Sequence, residues 1–70
     1  MMPLTMVKKG EQNSIKKVGG KADMRQFLEN LGFVAGSYVT VITETGGNVI
    51  VNIKESRVAI SREMASKIMV

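Results

Sequence analysis

The reactive side chains of this 70-residue chain are few, and the two most versatile types, His and Cys, are absent. Without His there is no ordinary general base near neutral pH. Without Cys there is no thiolate nucleophile and no disulfide, and neither an imidazole nor a thiolate metal site can form. Six carboxylates remain: Glu11, Asp23, Glu29, Glu44, Glu55 and Glu63. They are scattered, and no two stand in a recognisable acid–base pair. No Ser stands in a recognisable nucleophile–base arrangement. The pattern argues against an enzyme, a cofactor, a small-molecule substrate or a tight metal site.

Two further constellations have a chemical reading. Gly19-Gly20-Lys21 precedes a helical segment, and helix N-termini attract anions. The spacing is not that of a nucleotide-binding P-loop, and no Ser or Thr follows the Lys, so the glycines read first as a structural turn and only second as a phosphate cradle. Ten Lys and Arg against six Asp and Glu give a net charge of +4. That favours an anionic partner, either nucleic acid or an acidic protein surface. Lys8-Lys9, Lys16-Lys17 and Lys21 are the only concentration of positive charge, and a solvated face also accounts for them. Small barrels that bind nucleic acid stack bases on exposed aromatics. Here the aromatics are Phe27, Phe33 and Tyr38. Phe27 lies on the apolar face of the helix and is expected in the core, which leaves too few for a stacking platform. Of six Met residues, Met6, Met64 and Met69 are expected either to fill gaps in the core or to line an adaptable contact surface.

The elements that must carry these residues follow from periodicity. Met24, Phe27, Leu28 and Leu31 fall at i, i+3, i+4 and i+7, predicting an amphipathic helix from Ala22 to Leu31. Asp23 sits favourably in its first turn, and Gly32 is the expected left-handed stop. Tyr38 to Thr45 and Val49 to Lys54 read as strands joined at Gly46-Gly47, a two-residue hairpin signal. Val39, Val41 and Thr43 are expected on one face, opposite Val49, Val51 and Ile53. Leu4 to Lys8 reads as a short strand end, Gly10 to Asn13 as a polar turn, and Ser14 to Val18 as a strand with Ile15 and Val18 inward. Glu55-Ser56 is the next turn, Arg57 to Ile60 a further strand, Ser61 the cap of one helical turn, and Ile68 to Val70 a closing strand. The whole, residues 1–70, is one mainly β domain: a small, partly open barrel with one inserted helix. No apolar run approaches the ~20 residues that span a bilayer, and the start lacks a leader layout, which predicts a soluble cytoplasmic protein.

In this order and spacing, Gly19-Gly20, Arg25, Leu28, Leu31-Gly32, Gly36, Val39, Val41, Ala59-Ile60, Ala65 and Ile68-Met69-Val70 resemble the FeoA family. The resemblance spans nearly the whole chain. It departs at Ala35, where the family usually has Pro before the turn glycine, and at Asn48, where Pro often follows the hairpin glycine. It implies an SH3-like β-barrel and a cytoplasmic accessory role in ferrous iron transport, through contacts with the FeoB-type membrane GTPase transporter. Its family label for transition metals finds no soft ligand here. The alternatives are a nucleic-acid-binding barrel and a regulatory domain like those of metal-dependent repressors. For docking, Phe33, Val34 and Tyr38 are the expected apolar centre and Arg57 and Arg62 the basic rim, while Gly32, Gly36, Gly46 and Gly47 are structural turns. The competing reading for Phe33 is that it plugs the end of the barrel.

Overall fold

The computed structural model describes residues 1–70. Its strands are β1 (Gln12–Ser14), β2 (Lys17–Val18), β3 (Tyr38–Thr45), β4 (Asn48–Ile53), β5 (Ser56–Ser61) and β6 (Ile68–Met69). Helix α1 (Ala22–Leu31) enters between β2 and β3, and α2 (Arg62–Ala65) between β5 and β6. All strand pairs are antiparallel and form two sheets, ordered β1-β3-β4-β5 and β2-β6. The architecture is mainly β, as expected, but the two sheets do not join into a closed barrel.

The expected strand Ser14 to Val18 is divided between these sheets. Ile15 donates its N–H to the Ser37 carbonyl and accepts from Gly36, both at 2.8 Å, whereas Lys16 donates to Met69 at 2.8 Å. The chain therefore changes partner at one residue, turning a corner from β3 to β6. Ile15 is buried at that corner, as expected, and Val18 is half-buried. Gln12 and Asn13, expected in a turn, already pair with Thr40 and Val39. Leu4–Met6 forms a 3-10 turn instead of a strand end, and Leu4 is buried. Pro3 is bridged to Met69 beside it.

The central hairpin has its predicted turn. Gly46 and Gly47 both have positive φ, 50° and 87°, as a two-residue turn matching the twist of the strands requires. Thr43 leaves the face it was expected to share with Val39 and Val41. A bulge places Val41 opposite Val51 but Thr43 opposite Ile50, so Ile42 is an extra residue and the alternation reverses beyond it. The following turn is Lys54-Glu55, one residue earlier than expected, with Lys54 at φ 57° and Ser56 already in β5.

The core gathers Leu4, Ile15, Leu28, Phe33 and Ile68 with the inward side of β3–β5, namely Val39, Val41, Val49, Val51, Ile53 and Ile60, and with Ala65 of α2. No buried polar side-chain atom lacks a partner. No helix is long and apolar enough to cross a membrane.

Candidate functional site

Helix α1 ends and begins very differently, and that difference creates the site. At its end Gly32 adopts φ 109°, its N–H donating to Glu29 at 3.0 Å while the N–H of Phe33 reaches back to Leu28 at 3.0 Å. This pair of bonds defines a Schellman cap, whose usual companion is an apolar contact between the residue after the glycine and the residue three before the last helical position. Here those residues are Phe33 and Leu28, and both are fully buried. Phe33 does not project outward as the centre of a docking patch; the cap turns it into the core. The Leu28…Leu31-Gly32-Phe33 pattern is the sequence signal that marks this.

Val34 is exposed, and Val34 to Ser37 closes a β-turn through a 3.0 Å bond between the Ser37 N–H and the Val34 carbonyl, with Gly36 at φ 92°. Tyr38 is 60% exposed on the outer face of β3. It lines a shallow polar depression with Gln12, Thr40, Asn52 and Lys54. Arg57 is exposed on β5 opposite Asn52, without an ion pair. Arg62 forms an ion pair with Glu44, Nη1 to Oε1 2.8 Å, beside the tip of the β3–β4 hairpin. Arg57 lies near the start of β5, and Arg62 lies just past its end, at the first position of α2. They belong to opposite ends of the sheet, so the five expected residues do not form one patch.

The beginning of α1 is open. Its N-cap residue, Lys21, supplies no side-chain hydrogen bond; Asp23 in the first turn accepts instead from the Met24 N–H at 2.8 Å. At about 100° per residue, Phe27 falls on the flank of the apolar stripe, some 60° from Met24 and 100° from Leu28. Leu28 takes the core position, and Phe27, expected in the core, is 49% exposed. Facing it is α2, whose start is fixed by Ser61: its hydroxyl accepts from the Met64 N–H at 3.1 Å. The main chain beyond α2 is tied back at Gly19, whose N–H donates to the Lys67 carbonyl at 2.8 Å. Gly20, at φ 95°, has the Met24 sulfur and the Lys67 stem against it. Glycine is called for at Gly20 by its positive φ, since a Cβ at either glycine would meet Met24 or Lys67 only at ordinary contact distance, 3.4 Å or more.

Between the two helices lies an open groove of about 740 Å³, lined by Gly20, Lys21, Asp23, Met24, Phe27, Glu63, Met64 and Lys67. Its floor is two thioethers and an aromatic ring, and its rim is two cations and two anions, none of them in an ion pair. Such an arrangement does no covalent chemistry. It suits an apolar side chain of a partner, with charged groups oriented around it. No group of three or more Asp and Glu side chains is brought together that would hold a metal ion.

The FeoA domain family matches residues 2–70. The chain is 40% identical, over all 70 of its residues and 85% of the relative, to a Methanocaldococcus jannaschii protein named Fe(2+) transport protein A. Its fold superposes on the zinc-complexed crystal structure of Stenotrophomonas maltophilia FeoA, described as an SH3 domain protein, with a TM-score of 0.87 and 21% identity over 100% of this chain and 89% of that one. It also superposes on a manganese-dependent transcriptional repressor, with a TM-score of 0.85 and 17% identity, over 94% of this chain and 38% of the repressor. The chain belongs to the FeoA domain family and has a small SH3-like fold.

Proposed function

We propose that this FeoA-family chain is a non-enzymatic cytoplasmic accessory of ferrous iron transport, docking on the cytoplasmic part of a FeoB-type membrane transporter through the α1–α2 groove. Family membership supports the process, and the name of the archaeal relative agrees with it. The groove supports a protein contact as the means. The single observation that carries this is Phe27: a large ring half exposed on an open groove, next to Met24 and Met64, in a chain whose other phenylalanine is buried. Interface energy concentrates in such aromatic anchors, with charged residues at the rim adding orientation. Iron is the transporter's cargo in this reading and needs no ligand here.

The test is the affinity of the purified chain for the cytoplasmic part of the transporter, measured by calorimetry. Phe27→Ala is expected to weaken binding by about 10- to 100-fold, a loss of roughly 1–3 kcal/mol. Lys21→Glu combined with Lys67→Glu should weaken it further and change its salt dependence. Wild-type binding by folded Phe27→Ala would reject the groove. No binding by the wild type, together with tight and steeply salt-dependent binding to random RNA, would favour the nucleic-acid reading.

A further inference from the structure

The four-stranded sheet ends at β5, which has β4 on one side and no strand on the other. The phase of the β4–β5 ladder follows from its ends. The Arg62 N–H donates to the Gly47 carbonyl at 3.0 Å, which makes Asn48 and Ser61 a pair without mutual bonds. Alternation then directs the main-chain groups of Ser56, Val58 and Ile60 to β4 and those of Arg57 and Ala59 outward. No other backbone hydrogen bond involves Arg57 or Ala59, and both residues are exposed. Most of the usual protections of an edge are missing: β5 contains no Pro, its register is continuous without a bulge, and Arg57 is its one charged side chain.

We propose that this edge pairs with β5 of a second copy of the chain, antiparallel about a two-fold axis at Val58. The register is set by three requirements. Inward residues must oppose inward residues, since a one-residue slip reverses the faces. Groups directed outward must oppose each other. Like charges must not. Pairing Arg57 with Ala59 of the second copy satisfies all three. Each such pair exchanges two N–H to C=O bonds, giving four across the axis, and Val58 meets Val58 at the centre. A shift by two residues in one direction sets Arg57 against Arg57; in the other it sets Arg57 against Ser61, where α2 begins. The chosen register also brings Glu55 of one copy opposite Ser61 of the other, next to the Arg62 that starts its α2. Arg62 already holds Glu44, so each end of the short ladder gathers two carboxylates around one guanidinium and sets no cation against a cation.

A ladder this short buries much less than the roughly 800 Å² per partner of a stable complex, so the dimer is weak and concentration-dependent. The contact leaves the α1–α2 groove unused, so its test is separate from that of transporter docking.

Sedimentation equilibrium of the full chain, from about 10 µM to about 1 mM, reads the association directly. The wild type is expected to shift from monomer to dimer within this range. Ala59→Pro removes one outward N–H without touching the β4 ladder and should raise the dissociation constant at least tenfold, with unchanged circular dichroism. Amide exchange of Arg57 and Ala59 should slow with concentration in the wild type while that of the β3 amides does not. A chain that stays monomeric throughout overturns the proposal. So does a dimer that tolerates Ala59→Pro but is lost in Phe27→Ala, because that dimer would use the groove.

Discussion

The two phenylalanines, six residues apart on either side of one helix end, are placed in opposite ways. Phe33 is driven into the core by a glycine cap with two main-chain bonds behind it, and Phe27 is left on the flank of the helix stripe with half of its surface open. Chemically the two side chains are identical. What separates them is backbone: a left-handed residue reverses the chain before Phe33, whereas Phe27 has only the helical angle to direct it. One end of α1 is thus a fixed structural joint, and the other a surface available to a partner.

The largest effect expected from breaking this contrast is at the joint. Phe33→Ala should cost about 3–5 kcal/mol, measured by urea unfolding, because the cavity is surrounded by fixed β-sheet side chains. In a domain this small that is a large share of its total stability. Phe27→Ala, by the same measurement, should cost less than about 1 kcal/mol, since half of the ring is already hydrated. Equal losses for the two would mean that Phe27 is a core residue and the groove is closed in solution.

Gly32→Val tests the cause of the contrast. A β-branched side chain at φ 109° is strained, and its Cβ would lie 3.3 Å from the Lys54 Cε and 3.5 Å from the Ile53 Cγ1. The expected loss is about 2 kcal/mol, less than for Phe33 because the Lys54 stem can move aside. On the groove side, Ser61→Ala removes the cap of α2 and should cost about 1 kcal/mol. The smallest effect expected is a gain. Ala35 precedes Gly36 in a turn whose positive φ at the third position is that of type II, a geometry that accepts Pro at the second. Ala35→Pro should add about 0.5–1 kcal/mol by restricting the unfolded chain. A loss there would mean that the Ala35 backbone departs from that turn.

The two ends of α1 also differ in how far the sequence reveals them. Helix α1, the Gly46-Gly47 hairpin, the Ser61 cap and the inward Val and Ile of β3 and β4 were legible, because each depends on local periodicity or on one residue's conformational preference. The bulge at Ile42 was not, since nothing local distinguishes an extra residue from a regular one. Nor was the change of partner at Ile15, which depends on where Ser37 and Met69 lie in space. Of the candidate site, Met64 is legible as a residue of either the core or an adaptable surface and Met24 as part of the helix's apolar face, but Phe27 is expected in the core and nothing in the sequence points to Lys67. Both gaps have one origin: the groove is made by two segments that only tertiary structure brings together, and the position of α2 decides which flank of α1 stays open.

The tie between Gly19 and Lys67 has a consequence for the order of folding. The β3–β4–β5 meander joins neighbours through two-residue turns and can zip up locally. The β2–β6 ladder, prolonged by the Gly19 to Lys67 bond, and the reciprocal bonds that join Met2 to Val70 on the other edge of β6 must first close a loop of most of the chain. Closing long loops is slow and entropically costly, so the meander is expected to form ahead of this ladder. The groove, whose walls the ladder holds together, then appears only in the final stage, so a partner that reads it would distinguish a finished molecule from one still folding.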